Sequence, residues 1–228
     1  MASAQYAEIG KPAGRSASRD LQLLLGEIHA PNIRYLDSVH GRGKVLFAEG
    51  EPGRGVYILR SGRAVVSISS IEGRVVIVRM AQPGDVLGLN AAVCGAPYDT
   101  TVKTLESCRT DFIPRADLME LMVTSQAGTQ AILKILSHEL TQFTARTRSI
   151  LLTQTASARL AKLLLEWSEQ SERIDRVFTH EEIAQMICSS RETVTRLLTG
   201  MSRRKIIEVT SDSILIRDGA ALERMARG

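Results

Sequence analysis

Three side chains that can hydrogen-bond to nucleobases stand close together in this chain: Arg191, Glu192 and Arg196. An arginine can donate two hydrogen bonds to guanine, and a glutamate can accept one from the cytosine amino group. In a helix these residues would share one side with Thr195 and Thr199. The opposite side would carry apolar residues that face a core, namely Val194, Leu197, Leu198 and Met201. The spacing therefore predicts a helix that reads base edges in the major groove of DNA.

Two capping patterns predict the elements around this helix. Thr179 and Glu182 form the pattern of a capping box, so a first short helix should begin at His180. A second pattern, Ser189 with Glu192, predicts that the next helix opens directly after a tight turn. The alternative for the charged side is a solvated surface, with intrahelical ion pairs worth about 0.2 to 0.5 kcal/mol each. Two capped helices around a tight turn favour DNA reading over that alternative.

Positive charge concentrates on the same stretch. Residues 191–205 contain five arginines and lysines and one glutamate, a net charge of +4 that equals the net charge of the whole chain. Such a basic footprint is typical of a DNA-binding element, although cations at the end of a helix also suit its dipole. We expect contacts to the phosphate backbone from polar and basic residues of this region: Thr179, Ser190, Thr195, Thr199, Arg203, Arg204 and Lys205.

The segment CSSRETVTR at residues 188–196 resembles the recognition-helix signature of the cyclic-AMP receptor protein and fumarate-nitrate regulator (CRP/FNR) superfamily. The resemblance implies a dimeric bacterial transcription regulator with an N-terminal effector-sensing β-roll, a long dimerisation helix and a C-terminal winged helix-turn-helix. It also implies that Arg191, Glu192 and Arg196 read base edges of a TGTGA-like half-site. One residue departs from the family: the turn position often filled by glycine is Cys188, which costs about 1 kcal/mol if its φ is positive.

With 228 residues, 44% of them hydrophobic, the chain is long enough for two modest domains with real cores. On the resemblance we expect an α+β fold. Its parts are a flexible tail at residues 1–19, a jelly-roll-like β-roll of the cyclic-nucleotide-binding type at 20–125, the dimerisation helix at 126–153 and the winged helix-turn-helix at 154–228. Apolar residues at helical spacing indicate helix over residues 21–39. Since no membrane-spanning apolar run and no signal-peptide pattern occur, we expect a cytoplasmic protein without membrane partners.

Short β-branched runs separated by glycines fill residues 45–113, which predicts a compact all-β unit. Its glycine patterns are similar to the framework of the cyclic-nucleotide-binding β-roll: Phe47 with Gly50, Tyr57 and Ile58 with Gly62, and Pro83, Gly84 and Asp85 with Gly88. In cyclic-nucleotide binders a glutamate after glycine holds the ribose, and an arginine after Gly-x-Pro neutralises the cyclic phosphate. The resemblance places Leu89, Tyr98 and Asp99 at the binding positions.

These substitutions remove the charged partners of a cyclic nucleotide, so the sequence does not support binding of cyclic AMP. The resemblance still implies an effector pocket, and it would be lined by Leu89, Asn90, Tyr98, Asp99 and Thr100. The effector would be an unknown small molecule. A less polar ligand, constitutive activity and a thiol signal at Cys94 stay open as alternatives.

Apolar residues in the predicted long helix alternate between spacings of three and four. They form a heptad pattern: Leu133, Leu136, Leu140, Phe143, Thr147 and Ile150. The pattern predicts a coiled-coil homodimer, and the alternative is a core helix that lies on its own β-roll. Twofold symmetry would place two reading helices one DNA turn apart, about 34 Å, which predicts a palindromic target. An amphipathic helix at 156–170, a hairpin wing around 210–212 and a short helix from 218 complete the expected C-terminal domain.

Residue types that could support catalysis are not clustered. The four histidines, His29, His40, His138 and His180, have no metal-ligand spacing, and the three cysteines form no CxxC pair. We therefore expect no enzyme, no metal site and no certain cofactor. A cyclic-nucleotide-binding regulatory module or adaptor is the alternative function, but it leaves the base-reading side unexplained. The expected partners are double-stranded DNA, a second copy of the chain, RNA polymerase and the unknown effector.

Overall fold

The computed structural model describes residue 26 and residues 34–152, 155–168, 173–175 and 178–227. These residues form two compact units, one of residues 34–142 and one of residues 143–227. The division between the units falls inside one long helix. Each unit buries a set of hydrophobic side chains of its own.

The first unit contains eight short strands in two antiparallel sheets, with the orders β1-β8-β3-β6 and β2-β7-β4-β5. The strands are β1 Leu36–His40, β2 Val45–Phe47, β3 Gly55–Ser61, β4 Ala64–Ser69, β5 Val75–Ala81, β6 Val86–Leu87, β7 Thr101–Thr104 and β8 Cys108–Pro114. Helix α1, Leu89–Cys94, connects β6 to β7, and α2, Arg115–Thr124, follows β8. The glycine-separated runs thus form the predicted β-roll.

Two hydrophobic clusters hold this unit together. The first joins β3 to α1, α2 and the start of the next helix, and it includes Val56, Ile58, Leu89, Leu118 and Ile132. The second connects the two sheets and includes Phe47, Leu59, Leu87, Tyr98 and Val102. Because burial of apolar surface supplies most of the driving force for folding, these clusters fix how the sheets and the flanking helices pack.

The long helix α3 spans Gln126–Leu152 and has 27 residues. Its start is capped by Ser125, whose hydroxyl oxygen accepts a hydrogen bond from the N–H of Gly128 at 2.9 Å. Ala131 and Ile132 of its second turn are buried in the first cluster. The prediction of one uninterrupted helix in this part of the chain is therefore confirmed.

The second unit combines helices with one small antiparallel sheet of order β10-β11-β9. Its elements are α4 Ala156–Ser168, β9 Arg173–Asp175, α5 His180–Met186, α6 Arg191–Arg203, β10 Ile207–Val209, β11 Ser213–Ile216 and α7 Gly219–Arg227. Its interior contains residues from four of the helices, all at most 2% exposed: Leu160, Leu164, Ile183, Val194 and Leu222. The predicted amphipathic helix, hairpin and last helix are confirmed, whereas no sequence pattern predicted β9.

The structure corrects the sequence-based assignment at two places. Residues 36–39 were expected to continue a helix, and this is wrong, because they belong to strand β1 and pair with β8 from Leu36–Phe112 onward. Pairing with a neighbouring strand overrides a short helical periodicity. Helix α1 was not expected within the all-β unit. The predicted tail at 1–19 and most of residues 20–33 lie outside the described residues, except for Gly26, which is helical.

Among the described residues, no helix combines the length and the apolar character needed to cross a membrane. The same part of the chain contains no group of three or more histidine, cysteine, aspartate or glutamate side chains that could hold a metal ion.

Candidate nucleic-acid interface

Helix α5 begins with the predicted capping box. The Thr179 hydroxyl oxygen accepts a hydrogen bond from the N–H of Glu182 at 3.2 Å, and the Glu182 carboxylate accepts one from the N–H of Thr179 at 2.7 Å. The two bonds satisfy backbone donors that the first helical turn leaves without partners. Helix α5 therefore starts at His180, as the sequence predicts.

The turn after α5 closes with a residue in the left-handed region. Cys188 has a φ of 49°, so the condition for the expected cost of a non-glycine residue at this turn position is met. The N–H of Ser189 donates to the carbonyl of Ala184 at 2.9 Å, the six-residue closure that ends many helices. The left-handed backbone costs a residue with a Cβ about 1 kcal/mol.

The expected cap at Ser189 is wrong by one residue. Ser190 is the N-cap of α6, and its hydroxyl oxygen accepts a hydrogen bond from the N–H of Thr193 at 3.2 Å. Ser189 still belongs to the closure of α5, because its N–H is bonded back to Ala184. The Ser190 hydroxyl takes part in this cap, and its contact to phosphate stays a prediction.

Helix α6 separates an apolar side from a polar side. Val194, Leu198 and Met201 are buried at 0%, 3% and 2% exposure, and Leu197 is half-buried. The residues expected to face DNA are all exposed to solvent: Arg191, Glu192, Thr195, Arg196 and Thr199. The helix thus presents its proposed base-reading side chains together on one accessible surface.

Glu192 lies in the first turn of α6. Hydrogen bonds from its own backbone N–H and from the Ser190 hydroxyl lower the pKa of its carboxyl group. The side chain is therefore ionised at neutral pH and acts only as a hydrogen-bond acceptor. An acceptor at this position suits the amino group that cytosine exposes in the major groove.

A contact that sequence reasoning missed joins α5 to α6. The Nδ1 atom of His180 lies 2.9 Å from the hydroxyl oxygen of Thr195, which also approaches the Arg191 carbonyl at 3.0 Å. His180 and Thr195 are 15 positions apart in the chain, so helical spacing within either element gives no signal for the pair. The bond places Thr195 on the side of α6 that faces α5.

The basic residues that follow the exposed polar side lie at the end of α6. Arg203, Arg204 and Lys205 are all exposed, and Lys205 takes a φ of 57°. The N–H of Ile206 donates to the carbonyl of Met201 at 3.0 Å, which is the same type of closure as at Cys188. The three cations are therefore accessible at one helix end.

The wing is the hairpin of β10 and β11. The Thr210 hydroxyl bonds with Asp212 at 2.9 Å and with the Ser213 backbone, which fixes the tight turn between the strands. Arg217 and Glu208 form an exposed ion pair across the hairpin at 2.6 Å. Strand β9 extends the sheet on the other edge of β11.

The residues expected to line an effector pocket divide into two sets. Leu89 and Tyr98 are buried at 1% and 4% exposure, in different hydrophobic clusters. Asn90 and Asp99 are exposed, and the Asn90 amide donates to the Asp99 carboxylate at 3.0 Å. Thr100 is half-buried. The structure brings Asn90 and Asp99 together, while the side chains of Leu89 and Tyr98 lie in the core.

Tyr98 is held tightly within the β-roll. Its ring stacks on Phe47 with centroids 3.9 Å apart. Its hydroxyl donates to the carbonyl of Gly55 at 2.8 Å and accepts from the N–H of Gly55 at 3.3 Å. Burial raises the pKa of the Tyr98 phenol, so the group remains a donor. A Cβ added at Gly88 would lie 2.6 Å from the Tyr98 ring, so glycine makes room for it.

An ionic cluster connects α3 to the strands near these residues. Arg79 on β5 donates to the carboxylates of Asp85 and of Glu139, which belongs to α3. Burial raises the pKa of Glu139 to about 7, the negative charges of Asp85 and Asp99 add to the rise, and Arg79 opposes it. With that pKa, Glu139 is only partly ionised at neutral pH, and Arg79 is shared between it and Asp85.

The predicted heptad residues are not equivalent in the structure. Three of them are largely exposed and form an apolar stripe on α3: Leu133 at 58%, Leu140 at 67% and Phe143 at 60% exposure. Leu136 instead packs against the first cluster of its own β-roll. Thr147 is half-buried, and the side chain of Ile150 lies outside the described residues.

Two family models match separate parts of the chain. Residues 39–125 match the cyclic nucleotide-binding domain, and residues 158–225 match the Crp-like helix-turn-helix domain. The chain belongs to the CRP/FNR superfamily. Members of this superfamily are transcription regulators and not enzymes, and the helix-turn-helix with its wing is the DNA-binding domain of this member.

Similar proteins of the CRP/FNR superfamily cover most of the chain. A CRP-like cAMP-activated global transcriptional regulator of Mycobacterium tuberculosis is 28% identical over 193 residues, covering 82% of this chain and 86% of that protein. The structure of FixK2 from Bradyrhizobium japonicum has a TM-score of 0.74 at 19% identity, covering 85% and 98% of the two chains. The c-di-GMP responsive regulator CLP of Xanthomonas campestris has a TM-score of 0.70 at 15% identity, covering 87% and 98%.

Proposed function

We propose that this CRP/FNR regulator is a homodimer that reads a palindromic TGTGA-like site through α6. The observation that carries the proposal is the shared exposed side of that helix, which presents Arg191, ionised Glu192 and Arg196 together. The two arginines can donate hydrogen bonds to the guanines of such a half-site, and the glutamate can accept one from a cytosine paired with them. The phosphates on either side would be bound by the basic and hydroxyl residues of the same region: Thr179, Ser190, Thr195, Thr199, Arg203, Arg204 and Lys205.

The apolar stripe of Leu133, Leu140 and Phe143 supports the homodimer. Single exposed apolar residues are ordinary, but three large ones at heptad spacing on one helix suit a coiled-coil partner. A second copy of the same chain offers the same stripe, so the contact is self-complementary about a twofold axis. Twofold symmetry in the protein would then correspond to the palindrome in the DNA. Acting on transcription in the bacterial cytoplasm, the dimer would work together with RNA polymerase.

Selection of binding sites from random duplex DNA tests this function. We expect the purified chain to enrich a palindrome whose half-sites lie about one helical turn apart. Enrichment of a single half-site would contradict the dimer, and failure to enrich any sequence would contradict base reading through α6. Repeating the selection with a metabolite extract would reveal whether a small-molecule effector increases the affinity.

We further propose that the effector is not cyclic AMP. The names of the mycobacterial and Xanthomonas regulators show that different effectors act on proteins of this fold. In this chain Tyr98 is bonded to Gly55 inside the core, and Leu89 presents no polar group. The exposed carboxylate of Asp99, next to Tyr98 in the chain, would repel an anionic ligand that bound there. A less polar effector, constitutive activity and a thiol signal at the exposed Cys94 remain compatible with this arrangement.

Titration calorimetry with cyclic AMP and cyclic GMP tests this prediction, because it measures the affinity of the chain for each nucleotide. Loss of the phosphate-pairing arginine removes a charge-assisted hydrogen bond worth about 1.5 to 3 kcal/mol, which is roughly tenfold to more than a hundredfold in affinity. We therefore expect no binding in the micromolar range. The mycobacterial relative, measured in the same buffer, is the control. Micromolar binding of either nucleotide would show that another cation, such as the exposed Lys103, takes the phosphate.

A further inference from the structure

An arginine from outside the two DNA-binding helices reaches the turn between them. The Nε atom of Arg159, on α4, donates to the carbonyl of Ile187 at 2.7 Å. Its Nη2 atom lies 3.5 Å from the carbonyl of Cys188. The last carbonyls of a helix lack helical N–H partners, and a cation near a helix C-terminus is favourable. The planar guanidinium can serve two such carbonyls at once, because its donors form a rigid fork.

The same turn sets the direction of α6. Cys188 takes its left-handed φ of 49°, Ser189 closes the end of α5, and Ser190 caps α6. Arg191, the first proposed base-reading residue, follows the cap directly. A change of the backbone angles at Cys188 would rotate α6 as a body. All side chains on its exposed side would then leave their places together.

We propose that Arg159 is a positioning residue for DNA reading, which holds the strained turn at Cys188 and thereby fixes the orientation of α6. The inference rests on the proposed function and names a residue that acts through the backbone rather than through DNA. A cysteine in a left-handed conformation has less intrinsic preference for the turn than glycine. The hydrogen bonds from Arg159 to the carbonyls of Ile187 and Cys188 stabilise this left-handed conformation.

The test combines Arg159→Met with Cys188→Gly. Arg159→Met keeps the length of the apolar stem and removes the donors, and Cys188→Gly removes the steric cost of the positive φ. Lys162→Met, which removes one positive charge from the same helix, is the matched control. Arg159→Lys keeps the positive charge but lacks the planar guanidinium that can donate to two carbonyls. It replaces Arg159→Met in the test if the methionine variant does not fold. Affinities are measured for the selected palindrome and for a scrambled duplex.

We expect Arg159→Met to weaken binding to the palindrome by about tenfold, as for loss of one well-formed hydrogen bond to a charged group. Binding to the scrambled duplex should change no more than in Lys162→Met. Adding Cys188→Gly to Arg159→Met should restore most of the lost affinity, because glycine adopts the turn without help. A purely structural role for Arg159 would instead lower thermal stability and both affinities in parallel, without rescue by glycine.

Hydrogen exchange at Ser189 gives a second readout, since its N–H bond to Ala184 closes the turn. We expect exchange to accelerate by about tenfold in Arg159→Met and to slow again in the double variant. If the parent binds the palindrome, two results overturn this inference and leave the proposed function standing. They are unchanged exchange at Ser189 in Arg159→Met, and unchanged discrimination between the two DNAs by that variant. A parent chain that selects no sequence overturns the proposed function and the inference with it.

Discussion

Replacing Leu140 or Phe143 by aspartate is expected to convert the dimer into monomers. Both side chains lie in the exposed apolar stripe of α3. In a twofold interface each substitution introduces two carboxylates, and burying an unpaired charge costs several kcal/mol per ion. Because a monomer retains only one base-reading helix, affinity for the palindrome should fall by about a hundredfold or more.

Sedimentation equilibrium, with DNA binding measured on the same samples, checks this result. Thr141→Asp is the control, since it adds the same charge to an exposed position of α3 outside the stripe. That variant should remain dimeric. Leu136→Asp is a poor test, because Leu136 packs against the core of its own β-roll and its loss would destabilise the fold. Intact dimers in both Leu140→Asp and Phe143→Asp would reject the stripe as the interface.

Arg196→Ala and Glu192→Ala are each expected to weaken binding to the palindrome by about 1 to 3 kcal/mol, which is roughly tenfold to a hundredfold. Each change removes a base-edge contact, so binding to a scrambled duplex should hardly change. Since both side chains are exposed, neither substitution should affect folding.

Arg204→Ala is the matched comparison for these two variants. Arg204 is exposed at the end of α6, where it would contact phosphate. Its loss should weaken binding to both duplexes alike and reduce the slope of log affinity against log salt by about one. If Arg196→Ala and Glu192→Ala bound both DNAs as the parent does, the assignment of base reading to these side chains would be wrong.

Local patterns predicted the elements of the DNA-binding domain because their causes are local. Thr179 and Glu182 contact each other within one turn, so their spacing alone located the start of α5. The cap of α6 was misplaced by one residue because the N–H of Ser189 is used to close α5. That use depends on the backbone angle at Cys188, which a capping pattern does not contain.

Local sequence patterns did not predict contacts between residues that lie far apart in the chain. The partners of Arg159 are backbone carbonyls of the turn after α5, and since every residue has a carbonyl, no residue pattern predicts this contact. The only hint was that Arg159 precedes Leu163 by four positions, on the packed side of an amphipathic helix. In the β-roll, the resemblance to cyclic-nucleotide binders pointed to position 98, but only the three-dimensional fold places Tyr98 against Phe47 and Gly55.

The two hydrogen bonds between Tyr98 and Gly55 link the segment after α1 to the start of β3. Tyr98→Arg, made to provide a cation for a nucleotide phosphate, would remove these two hydrogen bonds at the same time. The N–H and carbonyl of Gly55 would lose their partner, and the face of Phe47 would lose its stacked ring. Under the proposal that this chain does not bind cyclic AMP, arginine at position 98 alone is therefore not expected to create nucleotide binding. Phe47, Gly55 and Gly88 contact or make room for Tyr98, so the residues around position 98 would also have to change before a ligand contact could be added there.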